Sequence, residues 1–335
     1  MKASRPVPAV LLGVIVLLLA GMPATAEIDE VVLAQQNGIS YLPMMVMERQ
    51  RIIERQAAAR GIAGLRTRWV KLAGPSAISD GLLAGSLHFS ANGPPSLAIL
   101  WDRTNGEVKA VGALISDALY LDTRNPSVKS VRDLTEKDRI AVPAVKVSSQ
   151  AIALQMLAEQ AFGAGQHFRL DALTVSLAHP DAMAAVLNPN GEVTAHFSSS
   201  PFHQAELKAG LRIIASSMDV QGGYATQLVV TSTAKFRSEN PKVTAAVVAA
   251  LDEAIAWINA DKRRAARLYL DVTNDKRTSL DEATAVLEAP GHEYTRTPHH
   301  IGGTFAFMAR IGLIRKAPRS WKDLFFPEAQ DLPGD

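Results

Sequence analysis

RIAVPAVKVSSQAIALQML, Arg139 to Leu157, reads as a short apolar strand, a proline, and a pair of serines opening an apolar helix. A serine ahead of a helix accepts a hydrogen bond from one of the N–H groups that the helix leaves unpaired. The same N–H groups hold anions and polar oxygens. Ser148 and Ser149 are therefore candidates for capping, for ligand contact, or for both.

The pattern of strand followed by helix repeats on either side of this stretch. Glu30–Gln36 (EVVLAQQ) is apolar enough for a strand, and Pro43–Gly61 predicts one helix with proline in its first turn and glycine past its end. Arg49 falls within the apolar stripe of that helix, where its stem would snorkel. Strands over 65–73, 87–91 and 107–115 alternate with helices over 76–86 and 94–102. A second unit repeats the theme, with strands over 118–124, 139–143, 172–180, 192–197 and 211–217. A β-branched run, Tyr224–Ser232, follows, and then four helical segments, 241–259, 262–270, 281–288 and 298–311. Strand–helix alternation implies mostly parallel sheets with helices on their faces. Terminal helices cannot build a further sheet layer, so they are expected to pack back on the first unit. The chain then crosses between two lobes near Ser116–Asp122 and again near Tyr224–Thr231, which makes a hinge and leaves a cleft. The expected division is 1–26, 27–117 for the first lobe, 118–226 for the second, and 227–335 for the return.

Residues 1–26 read as an export signal. Lys2 and Arg5 form a basic start, Val10–Ala20 is apolar, and Ala24-Thr25-Ala26 has the small-x-small pattern of a cleavage site. The apolar run is short of the roughly 20 residues needed to span a bilayer. A periplasmic location is the expectation. The 335 residues are 47% hydrophobic and 20% charged, as in a folded globular chain. No cysteine is present, which excludes thiol catalysis, disulfides, cysteine-ligated metal and a lipid anchor at cysteine. The formal charge is +2 and gives no electrostatic case for nucleic acid.

Five segments, in order, resemble the nitrate/sulfonate/taurine/bicarbonate family of substrate-binding proteins that serve ABC importers. They are Gln36-Asn37-Gly38-Ile39-Ser40-Tyr41, Leu83–His88, Asn92-Gly93-Pro94-Pro95, Ser130–Leu134 running on to Arg139–Pro143, and Gly191–Ala195 running on to Pro201. Two positions depart from the family pattern: His88 and Thr194 each stand where the family has aspartate. The resemblance implies an α/β class, two-lobed periplasmic-binding-protein fold of type II. It implies two mixed sheets flanked by helices and a ligand cleft between the lobes. It also implies a monomer that binds a small solute without catalysis or cofactor and docks on a membrane permease with its ATPase. Loops after the strands of both lobes line such a cleft.

The expected ligand contacts are therefore Asn37, Ser40 and Tyr41, then Asn92, Gly93 and Pro94, then Ser148 and Ser149. Phe197, Ser198 and Ser199 join them from HFSSSPF, and Tyr224 from the return crossing. Serines donate to sulfonate, carboxylate or carbonyl oxygens, and aromatic rings sandwich an apolar body. None of these loops carries arginine, and Lys146 alone lies near. That favours a singly charged or neutral organic solute, sulfonate- or taurine-like, over phosphate or a dicarboxylate. His292, His299 and His300 lack zinc-site spacing, and no metal is expected. GAGQHF at Gly163 ends a helix and is no dinucleotide fingerprint; neither a phosphate loop nor a G-x-S-x-G elbow occurs. Two other readings remain open on the same fold. One is an enzyme related to the pyrimidine synthases of thiamin biosynthesis, which depend on a cysteine-rich segment that this chain lacks. The other is an exported ligand sensor.

Overall fold

A computed structural model describes residues 27–72 and 74–335; the expected export signal lies outside the described residues. The first strand, β1 (Glu30–Gln35), leads through a turn into helices α1 (Leu42–Arg49) and α2 (Ile52–Ala58). Then follow β2 (Arg66–Lys71), α3 (Pro75–Leu83), β3 (Phe89–Asn92), α4 (Pro94–Arg103) and β4 (Val108–Asp117). The second unit runs β5 (Tyr120–Thr123), β6 (Ile140–Val142), α5 (Ser149–Phe162), β7 (Thr174–Ser176) and α6 (His179–Leu187). It continues with β8 (Ala195–Ser198), α7 (Phe202–Lys208), β9 (Arg212–Ser216) and α8 (Met218–Gln221). The chain then returns through β10 (Ala225–Thr233). It ends in α9 (Ala234–Glu239), α10 (Pro241–Ala260), α11 (Lys262–Thr273), α12 (Leu280–Glu288), α13 (Ile301–Arg310) and α14 (Pro327–Gln330).

The two sheets have five strands each, in the orders β2-β1-β3-β10-β4 and β7-β6-β8-β5-β9. In the first, β1 pairs parallel with β2 and β3, and β10 pairs antiparallel with β3 and β4. In the second, β6 pairs parallel with β7 and β8, and β5 pairs antiparallel with β8 and β9. The sheets are thus copies of one topology. In each, the antiparallel strand is the one that has just arrived from the other sheet. The two crossings run side by side, bracketed by the pairs Ala225↔Asp117 and Tyr120↔Ser216. Between them Leu119 N donates to Ser217 Oγ (3.1 Å) and Ser217 N donates to Leu119 O (2.9 Å).

Apolar faces explain the layers. Val31 and Leu33 of β1 are buried with Met44, Met45 and Met47 of α1 and with Val243, Val247 and Leu251 of α10. In the second lobe Leu121, Ile140, Val142 and Phe197 pack beneath Leu154 and Leu157 of α5. Alternation along β8 decides which side each residue takes: Ala195 and Phe197 enter that core, while His196 and Ser198 face the other way.

Two local expectations are corrected. The single helix expected over 43–61 is broken at Arg51, which adopts a left-handed conformation (φ 51°). The break lets six consecutive residues of α1, Leu42–Met47, and then Ile52 and Ile53, be buried. One straight amphipathic helix cannot bury all of them, and Arg49 ends up exposed instead of snorkelling within the stripe. The strand expected over 172–180 ends at Ser176, and His179-Pro180 begins α6, with proline in the first turn where it removes no helical hydrogen bond.

Candidate functional site

The carboxyl ends of the parallel strands of both sheets face one another, and a cavity with about 490 Å³ of empty space, part of it open to solvent, lies between them. The first lobe contributes Gln36, Ser40 and Tyr41 after β1, Pro75 after β2, and Gly93 and Ser96 after β3. The second contributes Pro143, Ser148, Ser149 and Gln150 after β6, His179 after β7, and Ser199 after β8. Leu119 at the outward crossing, with Gln227 and Leu228 on β10, closes the back.

The opening serines divide their work. Ser148 is the N-cap of α5: its Oγ accepts from Ala151 N at 3.2 Å and donates to Ala144 O at 2.8 Å. Its hydroxyl is thus satisfied within the protein. Ser149 Oγ is buried against the cavity and has no hydrogen-bond partner. A buried hydroxyl left unpaired costs about 1–3 kcal/mol, which a ligand oxygen would recover. The N–H groups of the first turn of α5 point the same way, with the positive end of the helix dipole.

Across the cleft, Gly93 lies against Ser149 so closely that a side-chain carbon there would overlap Ser149 Oγ. Ser96 Oγ donates to Val147 O at 3.1 Å, so the two lobes are joined at this edge. Gly38 (φ 125°) sits in a conformation that favours glycine and lets the first-lobe loop approach Ser200 and Phe202 of the second. Tyr41 is buried, and burial pushes its phenol well above the ordinary tyrosine range. Gln227 donates its amide to Asp117 O at 3.0 Å, while its Oε1 is buried without a partner. Tyr41 and His179 are the only titratable side chains that line the cavity among the described residues; no lysine or arginine does.

Of the contacts expected from sequence, Ser40, Tyr41, Gly93, Ser148, Ser149 and Ser199 are brought together here. The others sit elsewhere. Asn37 is exposed on the loop. Asn92 is the last residue of β3, buried, with its amide on Ser90 Oγ. Pro94 faces a narrow crevice beside Thr226 and His300. Phe197 points into the second-lobe core, and Ser198 lies beside Glu206. Tyr224 packs against the Gly291 backbone. Lys146 is exposed and does not line the cavity. The two departures from the family pattern have structural roles. His88 Nδ1 accepts from Val32 N (3.0 Å) and its ring stacks on Phe236, while Thr194 Oγ1 donates to Asp138 Oδ1 (2.9 Å).

Sequence reasoning missed Gln36, Gln150, Gln227 and His179. Their signal is positional: three of the four directly follow a parallel strand or open the next helix, where open α/β sheets bind ligands. His179 falls inside the strand expected over 172–180, which hides it. It now stands as the best-connected polar group of the site, with Gln150 Nε2 and Ser199 Oγ each 3.2 Å from its Nε2.

No protein-family model and no curated protein matches the sequence. Solved structures do match in fold. The alkanesulfonate-binding protein SsuA from Xanthomonas axonopodis pv. citri, bound to MOPS, superposes with a TM-score of 0.67 at 16% identity over 91% of this chain and 99% of its own. A Candida albicans gene product described as having the generic periplasmic binding protein fold gives 0.68 at 13% identity over 92% and 99%. The periplasmic nitrate-binding protein NrtA from Synechocystis PCC 6803 gives 0.59 at 14% identity over 77% and 70%. The fold expected from sequence is the one found.

Proposed function

We propose that this chain, which has the periplasmic-binding-protein fold, is the extracytoplasmic solute-binding component of an ABC import system. It takes a small, singly charged or neutral organic solute in the interlobe cavity and passes it to a membrane permease driven by an ATPase. The chain works as a monomer in the periplasm. The observation that carries this reading is the convergence of both lobes on a cavity into which α5 turns its first-turn N–H groups and the unpartnered Ser149 Oγ. A cavity lined, among the described residues, by neither lysine nor arginine suits one oxyanionic group better than two. Serine and glutamine donors with Leu119, Leu228 and the two proline walls suit a sulfonate on a short apolar body. Binding without turnover is the expected activity.

The test is a thermal-shift screen of the protein against alkanesulfonates, taurine, nitrate, bicarbonate, small carboxylates and pyrimidines. A ligand at 100 times its Kd adds about 2.7 kcal/mol to stability. A sulfonate hit that Ser149→Ala weakens supports the proposal. Stabilisation by pyrimidines alone, or by none of the panel with no solute released on denaturation, would overturn the sulfonate assignment.

A further inference from the structure

Behind the cavity wall runs a line of buried ionisable groups. His179 Nδ1 lies 2.8 Å from His196 Nε2, and His196 Nδ1 lies 2.6 Å from Glu206 Oε1. His196 and Glu206 are fully buried. Glu206 in turn neighbours the Asp122 carboxyl, whose Oδ2 is 2.7 Å from His203 Nδ1, and Tyr120 stacks on His203 with ring centroids 4.0 Å apart. The free oxygens Asp122 Oδ1 and Glu206 Oε2 are both buried without a donor. Two carboxyls side by side away from water cannot both hold charge cheaply, and one proton between them satisfies both.

The hydrogen-bond directions along this line are locked together. With Glu206 ionised, it accepts from His196 Nδ1–H. His196 Nε2 then accepts from His179 Nδ1–H, which leaves His179 Nε2 as an acceptor on the cavity side, with Gln150 Nε2 and Ser199 Oγ each 3.2 Å away. With a proton added the line reverses: the proton settles on His179 Nε2, the Nδ1 hydrogen of His179 passes to His196 Nε2, and the Nδ1 hydrogen of His196 passes to Glu206. His179 Nε2 has then become a donor, and the net charge of the line has gone from −1 to zero.

We propose that His179 reads the charge of the ligand, and that binding an oxyanion draws one proton into the line Glu206–His196–His179, which turns Nε2 into a donor toward the bound oxygen. The proposal rests on the cavity being the ligand site. It follows from the lining, which among the described residues has no lysine or arginine: of those residues, His179 is the side chain whose line can shed a negative charge when an anion arrives. The proton sits at the carboxyl end. Burial pushes Glu206 up to about 7 and Asp122 up to about 6, while it lowers His196 to about 3 and His179 well below the usual histidine range. The other groups facing the line are Gln150 on α5 and Ser199 after β8, both at His179 Nε2, Phe202 stacked on His179, Asp122 on β5, His203 on α7, Tyr120 over His203, and Ser198 on β8; Lys208 on α7 pairs with Glu282 instead.

The experiment is calorimetric titration with ethanesulfonate, which stays ionised throughout, at pH 6.5, 7.5 and 8.5 in pairs of buffers with different ionisation enthalpies. The expected result is uptake of close to one proton per bound ligand at the highest pH, less at the lowest, and an affinity that falls about tenfold per pH unit above pH 7.5. Glu206→Gln should bind with no proton uptake and no pH dependence. Binding by the wild type with no proton exchange at any pH would overturn the inference and leave the solute-binding reading intact. Failure of ethanesulfonate to bind would count against the sulfonate reading alone. The inference is then decided in the ligand-free protein by long-range ¹H–¹⁵N spectra of ¹⁵N-histidine. A switch of the His179 hydrogen from Nδ1 to Nε2 as pH falls through about 7 supports it. One tautomer at every pH overturns it.

Discussion

Gly93 and Ser149 come from opposite lobes and touch, with no room for a side-chain carbon between the Gly93 backbone and Ser149 Oγ. The contact joins the loop after β3 to the head of α5, and both line the cavity. Glycine is needed here for space, not for its backbone freedom, because its φ of −66° is open to any residue. Gly93→Ala should therefore leave each lobe folded but wedge the cleft. We expect ligand affinity to fall at least tenfold while the melting temperature without ligand drops by only a few degrees, in line with about 1–3 kcal/mol for overpacking. Unchanged affinity in a titration of this variant would place the ligand away from that contact.

The serine pair should separate capping from binding. Ser148→Ala removes the bond to Ala151 N and should cost about 1 kcal/mol of stability. Ser149→Ala removes a buried hydroxyl that has no partner, so the empty protein should be as stable as wild type or slightly more so. Its ligand-induced thermal shift should shrink. Equal losses of stability in the two variants would contradict this division.

Glu206 makes stability depend on pH in a direction opposite to most acidic residues. Its folded value, raised to about 7 from the ordinary 4.5, means that the folded protein keeps a proton that the unfolded chain releases. The stability contributed by that group is fully present below pH 4.5 and is lost as pH rises toward 7, by about 3 kcal/mol in total. His196, held down to about 3, acts in the other sense: the unfolded chain takes up a proton below pH 6.5 that the folded chain refuses, so acid destabilises through it. The difference in urea-unfolding free energy between wild type and Glu206→Gln isolates the first effect. It should decrease from pH 4.5 to 7 and level off above that range; a difference that rises over this window would rule out the assignment.

A third contact ties the chain beside the crossings. His292 Nδ1 lies 2.9 Å from Asp117 Oδ2 at the end of β4, and Glu293 bridges to Ser116. Asp117 Oδ1 also accepts from Ala118 N at 2.8 Å. His292→Ala leaves that buried carboxylate without its side-chain partner and should cost about 2–4 kcal/mol by urea denaturation. His292→Gln, which retains a donor, should recover part of the loss. A neutral His292→Ala substitution would mean that water replaces the imidazole.

Much of this architecture could be read along the chain because short apolar runs and amphipathic helices need only local periodicity to be recognised. Every strand from β1 to β10 falls within or beside an expected run, and α10 to α13 lie where the helical segments were expected. The break at Arg51 was invisible because Met44–Arg60 is a good helix by propensity, and only packing against α10 makes the chain turn there. Glycine-, proline- and serine-rich loops after strands pointed to six of the fifteen residues of the cavity wall, since that composition marks loops whatever they face. The same composition could not tell Ser148 from Ser149, or Phe197 in the core from Ser199 at the cavity.

Local pattern in the amino-acid order thus set the α/β class, the two crossings and the serine-headed helix, because each depends on residues a few positions apart. Tertiary structure alone decided which of those residues meet. His179, His196 and Glu206 lie on three different elements of the second lobe, and Gly93 comes to Ser149 across the cleft. Side-chain direction on a strand reverses with every residue, and a helix start faces a ligand only if its sheet turns it that way. Sequence therefore specified the pieces of the cavity, and the pairing of two copies of one sheet topology specified what the cavity can hold.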